Sequence, residues 1–221
     1  MGVVFPFFIG LAAFFVFCFS GRADATPLTS LLSGGTLTSG RLAFSDFQGS
    51  YTVFNSPFDP VGCCVEPQSI DQISLLAVPG GLTISPAGLF GEFFAPTLTL
   101  ATLDLTFTAT AAQGLIDALT LSANSLLGSS FMEAQAGGAS LSVRFGNRTD
   151  TESTLSPVSV MAVALSLHVS PVANIEGGAI HTPTLTFHVI DVPEPSAVML
   201  LSLGVVWGVR QARQLRSRST S

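Results

Sequence analysis

Two histidines raise the first question of chemistry in this chain. His168 and His188 each sit near the centre of a run in which apolar and polar residues alternate. Both are therefore predicted on the polar faces of strands. If those strands were neighbours, the two imidazoles would face each other and could hold a metal, but zinc usually takes four ligands and the spacing supplies no third. His181 lies in a loop beside Thr182 and Pro183. Two surface histidines on a wet sheet face are the better expectation.

The carboxylates are scattered. Asp46, Asp59, Glu66 and Asp71 fall in or near predicted loops of the first half, and Asp150 with Glu152 in another loop. Calcium takes oxygen ligands from such loops, but no D-x-D-x-D-G pattern appears. A glycosidase pair converges only in space, so spacing does not reveal one. Asn147-Arg148-Thr149 satisfies a glycosylation sequon and reads here as a turn after Phe145. Cys63 and Cys64 are adjacent, between Pro60 and Pro67. Neighbouring Cα atoms are ~3.8 Å apart, below the usual disulfide window of roughly 4.4–6.8 Å. A strained vicinal disulfide, a bond to another chain and two free thiols all stay open, and the pair is read as a structural or redox-linked loop feature.

Much chemistry is excluded outright. The chain has no lysine, so it has no Walker A loop, Schiff-base lysine or Ser–Lys dyad. No two glycines flank a single residue, which removes the dinucleotide fingerprint and the kinase glycine loop. No cofactor is expected, and the chain is read as a non-enzyme.

The elements that must position these residues are strands. Leu141, Val143 and Phe145 alternate with Ser140, Ser142 and Arg144; Leu185, Phe187 and Val189 alternate with Thr184, Thr186 and His188. Two longer runs, Leu98 to Ala109 and Val158 to Val169, change phase at Ala101-Thr102 and near Met161, which predicts a β-bulge in each. Shorter strands are expected over 41–44, 50–54, 73–78 and 81–85, and glycine pairs at 34–35, 80–81, 137–138 and 177–178 mark turns. The segment 111–127 reads equally as helix or strand. Strands at this spacing predict an all-β, antiparallel sandwich or jelly-roll-like domain over residues 26–191. That stretch has twelve acids against Arg41, Arg144 and Arg148, a net charge of −9. With no basic patch, nucleic acid is not an expected partner.

Both ends read as targeting segments. Gly2 to Ser20 is apolar and uncharged, and Ala23-Asp24-Ala25 fits a small-x-small cleavage site. Residues 1–25 are thus a predicted signal peptide for Sec-type export, with an uncleaved membrane anchor as the alternative. No Lys or Arg precedes the apolar run, a departure from the usual pattern. At the other end, Pro193, Glu194 and Pro195 form a stiff, extended tripeptide. An apolar helix is predicted over 197–209, then a tail, 210–218, with Arg210, Arg213, Arg216 and Arg218. Thirteen helical residues span ~20 Å, short of the roughly 30 Å hydrocarbon core. The arginines should stay cytoplasmic.

This order of tripeptide, apolar helix and basic end, over residues 192–218, resembles the PEP-CTERM sorting signal of exported proteins in many Gram-negative bacteria. The resemblance implies that Pro193, Glu194 and Pro195 are recognised by exosortase, an integral-membrane cysteine peptidase. It makes the four arginines the stop-transfer end, although they are spaced rather than contiguous. It also implies association with exopolysaccharide. The expected protein is then structural or adhesive, located in the cell envelope, at the outer surface or in the extracellular matrix, and anchored transiently or permanently in the inner membrane through its C-terminal helix. A carbohydrate-binding module is the alternative and a secreted hydrolase a more distant one. Against sugar binding stands the absence of Trp from 26–191 and the presence of a single Tyr, Tyr51.

Overall fold

The computed structural model describes residues 25–55, 65–86, 92–96, 99–144, 149–152, 155–171 and 177–192. The predicted signal peptide up to Asp24, the Cys63-Cys64 pair, Asp59 and the tail from Pro193 onward lie outside them.

The described residues form antiparallel β-structure. In chain order the elements are β1 (Thr26–Pro27), α1 (Leu28–Leu32), β2 (Leu37–Ser39), β3 (Leu42–Asn55), a 3-10 turn (Ile70–Gln72), β4 (Ile73–Val78), β5 (Gly81–Pro86), β6 (Glu92–Ala95) and β7 (Thr99–Ala111). There follow β8 (Leu115–Ser122), β9 (Ser125–Leu127), β10 (Phe131–Ala136), β11 (Ala139–Arg144), β12 (Thr149–Glu152), β13 (Val160–Val169), β14 (Gly178–His181) and β15 (Thr184–Ile190). One six-stranded sheet runs β1-β4-β5-β15-β8-β12 and a second runs β11-β10-β13-β7-β3-β2. A small third sheet, β6-β14-β9, lies beside them.

The two large sheets share one core. Leu75, Leu82, Leu121 and Leu185 from the first meet Leu105, Phe107 and Leu165 from the second. Phe44 of β3 is fully buried, 6.0 Å from the Phe107 ring in its own sheet and 5.6 Å from Phe187 in the opposite one. Strict alternation drives this arrangement. Met161, Val163, Leu165, Leu167 and Val169 point inward from β13, while Ala162, Ala164, Ser166 and His168 point out.

Several local expectations are corrected. The candidate strands at 41–44 and 50–54 are one long strand, β3. No bulge occurs at 101–102 or near 161, because β7 and β13 pair without a slip from Ala101 to Thr110. Leu100 and Val160, which suggested the phase changes, fall on the outer face and are exposed. The irregularities lie instead between Ser45 and Gln48 and between His188 and Val189. At the first, Asp46 takes a φ of +57°, and the extra residue lets Phe44 and Phe47 both point inward although they are three apart. The segment 111–127 resolves as strands β8 and β9. Asp150 and Glu152 belong to strand β12, not a loop.

One short helix was not foreseen. In α1, Leu28 and Leu31 share a face and are fully buried, which pins this single turn to the core. The predicted turn at 137–138 closes a hairpin, the one at 80–81 falls a residue earlier at Pro79-Gly80, and Gly178 opens β14 rather than a turn. Gly137 and Gly138 both have positive φ, +58° and +89°, as a two-residue type I′ hairpin requires between Ala136 and Ala139. Gly81 is needed for another reason. A Cβ there would lie 2.1 Å from the Leu185 carbonyl oxygen, because β5 runs tight against β15.

Tyr51 ties β3 to the loop beyond it. Its hydroxyl donates to the Pro67 carbonyl at 2.6 Å, and its ring lies 6.5 Å from Phe93. Burial raises the phenol well above its ordinary range. The unfolded phenol ionises near pH 10, the folded one only at higher pH. This contribution is complete below pH ~10 and is lost as pH rises toward the folded value. We expect Tyr51→Phe to cost about 1 kcal/mol at neutral pH and to flatten the decline of stability above pH ~10. Chemical denaturation across an alkaline series measures both, and an unchanged alkaline slope in the variant would refute the assignment.

Candidate functional site

The outer face of the second sheet carries the densest set of polar groups. Its rungs follow from the strand registers. One rung runs Arg144, Phe131, His168, Thr102 and Thr52 across β11, β10, β13, β7 and β3. The next runs Ser142, Glu133, Ser166, Asp104 and Ser50. A third runs Ser140, Gln135, Ala164, Thr106 and Gln48. Beyond it, Ala162 pairs with Thr108, beside Ser45 and the bulged Asp46.

This face is hollow. A cleft of about 750 Å³ lies over Ala162 and Ala164, walled by Gln135 and Ser140 on one side and by Gln48 and Asp46 on the other. A smaller hollow of about 240 Å³ continues it over Ser166, between Asp104 and Glu133. The cause is side-chain size: two alanines on the outer phase of β13 leave a low floor between strands that carry longer side chains. The bulge also sets Asp46 at the rim. Five strands bound the cleft, four spacings of ~4.8 Å, so it is roughly 19 Å across. That suits an extended ligand rather than a single small ring.

The groups along it suit hydroxyl-rich partners. The Gln48 and Gln135 amides donate and accept, the Thr106 and Thr108 hydroxyls do both, and Asp46 and Asp104 accept. Asp46 takes a hydrogen bond from Ser45 Oγ at 2.9 Å, and Asp104 takes one from Ser166 Oγ. On the first rung the His168 and Phe131 rings stack, with centroids 4.4 Å apart. The Arg144 guanidinium lies 5.4 Å from the Phe131 centroid and 3.3 Å from a Glu133 carboxylate oxygen. At the same end Phe54 pairs with Leu100, and the Phe54 side chain is 64% exposed. Aromatic side chains therefore do reach this face, although none is Trp or Tyr.

The structure separates most residues that the sequence singled out. His168 lies in the second sheet and His188 in the first, so the imagined histidine pair does not form. His188 Nδ1 instead sits 2.6 Å from Asp117 on an exposed surface, and His181 lies 3.8 Å from Glu92. Asp46 lies at the cleft, Asp71 in the 3-10 turn, and Glu66 bridges Phe94 through its backbone. No group of three or more His, Cys, Asp or Glu able to hold a metal occurs among the described residues. Ala25 is exposed immediately before β1, and Thr26 is paired with Leu75. Ala23, Cys63, Cys64, Pro193, Glu194, Pro195 and the four tail arginines fall outside the described residues. The chain leaves β15 toward that tail at Asp191, which pairs with Arg41. No helix among the described residues is long and apolar enough to cross a membrane.

Sequence reasoning missed the cleft. Its one legible signal was Ala162 and Ala164 on the polar phase of a long strand, where Ser, Thr or charged residues are usual. The fold and face define an all-β protein with a polar, open cleft. No family model and no curated protein matches this sequence. Among solved structures it is similar to the carbohydrate-binding module TmCBM61 in complex with β-1,4-galactotriose, at a TM-score of 0.33 and 8% identity, over 62% of this chain and 88% of that one. It is also similar to the enzymatically active domain of bacteriophage CBA120 tailspike protein 4, at a TM-score of 0.26 and 12% identity, over 67% of this chain but only 19% of that one. At such scores neither likeness assigns a role to any residue here.

Proposed function

We propose that this chain is an exported, non-enzymatic protein of the cell envelope whose β-domain holds a polysaccharide in the outer cleft of the second sheet. The observation that carries the reading is the alanine-floored cleft, edged by amides, hydroxyls and carboxylates. Two neutral amides and two threonines satisfy sugar hydroxyls without a charged partner, and the open ends pass an extended chain. Phe54 offers an apolar surface at one end, where the face of a pyranose ring can pack. The passage of the chain between the two sheets fits a jelly-roll-like sandwich.

Sorting belongs to the same proposal. Export through residues 1–25 and a PEP-CTERM-type tail over 192–218 would place the domain at the outer surface or in the matrix. There, exopolysaccharide is the available polymer. Pro193, Glu194 and Pro195 would be the exosortase motif. A purely structural or adhesive role is the second reading, favoured by the Ser- and Thr-rich outer faces of both large sheets. Hydrolysis is the more distant reading: of the carboxylates along the hollows, Glu133 is paired with Arg144, and Asp104 accepts from Ser166.

The test fills the floor. Ala162→Ile with Ala164→Ile keeps strand propensity and leaves the inward phase of β13 untouched. Affinity electrophoresis against a panel of soluble polysaccharides should show at least one ligand for the wild type. The double variant should bind it roughly tenfold more weakly, a loss of about 1.4 kcal/mol. Retention of ligand at full strength by the variant would remove the cleft from the binding site.

A further inference from the structure

We infer that the cleft admits uncharged, hydroxyl-rich polymers and turns away polyanions such as uronate-bearing or sulfated chains. This rests on the proposed polysaccharide reading of the cleft and adds its charge selectivity.

The charges on this face are unevenly distributed. Asp46, Asp104 and Glu133 all lie along the two connected hollows. Arg144 is the one guanidinium on this face among the described residues, and it is engaged. It pairs with Glu133, donates to Ser142 Oγ at 3.2 Å and covers the Phe131 ring. His168 is stacked on that same ring, and its Nδ1 lies 3.5 Å from Thr102 Oγ1. Both cationic or protonatable groups therefore sit on the first rung, away from the alanine floor.

Among the described residues around the floor, every polar group is neutral or anionic. Gln48, Gln135, Thr106, Thr108 and Ser140 carry no charge, and among the described residues Asp46 accepts from Ser45 and Asp104, in the adjoining hollow, from Ser166. No cation neutralises these two carboxylates in the described structure. The bulge holds the Asp46 backbone in the left-handed region, and this sets its side chain at the rim of the cleft. A polymer with a carboxylate or sulfate on successive sugars would set like charges against both. Repulsion of this kind acts over about 8 Å at physiological ionic strength. Neutral hydroxyls meet the same carboxylates as donors and gain hydrogen bonds to charged acceptors.

The experiment uses the full chain purified from an exporting host. Neutral β-1,4-galactan and hydroxyethylcellulose are compared with polygalacturonate by affinity electrophoresis at low and high salt. At low salt a neutral polymer should bind roughly tenfold or more tightly than polygalacturonate, with the gap narrowing as salt rises. In Asp46→Asn/Asp104→Asn the ratio of polygalacturonate to neutral affinity should rise severalfold. Equal affinity for acidic and neutral polymers in the wild type, or an unchanged ratio in the double variant, would overturn the charge selectivity while leaving the cleft reading intact. Failure of the wild type to bind any polymer would overturn the cleft reading, and the selectivity with it.

Discussion

Truncating Phe44 to alanine should cost about 3–5 kcal/mol of stability. Phe44 is fully buried and is the ring that touches aromatic neighbours in both large sheets, Phe107 on its own side and Phe187 across the core. Phe47 stacks on the same Phe107 at 5.5 Å, so the hole would open within a linked aromatic cluster. Removing the ring loses its transfer free energy and leaves a cavity that rigid flanking strands close poorly. At 2–4 °C per kcal/mol for a domain of this size, the melting temperature should fall by roughly 10 °C. Phe54→Ala is the matched control. It removes an equally large ring from a mostly exposed position and should change stability by about 0.5 kcal/mol or less. Thermal and urea unfolding of both variants provide the check. Equal effects from the two substitutions would mean that the sheets do not meet through Phe44.

The second large effect should appear in the cell. Replacing Arg210, Arg213, Arg216 and Arg218 together with neutral residues should abolish envelope retention or invert the tail. The apolar run of 13 residues is short for a span, and these arginines are the cations that would hold its end on the cytoplasmic side. Surface potential adds about 1 kcal/mol of attraction for each arginine near an anionic leaflet. Fractionation of wild type and variant, with protease accessibility of a tail-fused reporter, reads both retention and orientation. N-terminal sequencing of the same material should give a mature start near Thr26. Unchanged retention and orientation in the variant would show that the arginines are not the stop signal, and full-length protein confined to the cytoplasm would refute the export reading.

The sequence alone was enough for the all-β class, because a period of two in side-chain polarity has one physical meaning: a half-buried strand. It placed β4, β5, β11 and β15 to within a residue or so, and likewise the hairpin turns at Pro79-Gly80 and Gly137-Gly138, since these depend on local chemistry. It also supplied the whole sorting proposal, whose residues lie in short contiguous segments. Its two misplaced bulges came from single side chains standing for a phase: Leu100 and Val160 look inward by type, yet are exposed.

Only the tertiary structure decided what lies next to what. Alternation tells which face a residue takes but not which sheet its strand joins, so His168 and His188 looked alike and ended in different sheets. The cleft needed pairings across the chain, with β7 between β3 and β13, and β10 reached from β13 rather than from β9. The positive φ of Asp46 followed from matching Phe44 and Phe47 to one core, a demand that no local pattern expresses. Two alanines became the floor of a cleft only once longer side chains from strands distant in sequence stood on either side. Such a site is a sum of registers. Each register is set by the long-range burial of the opposite face of its strand.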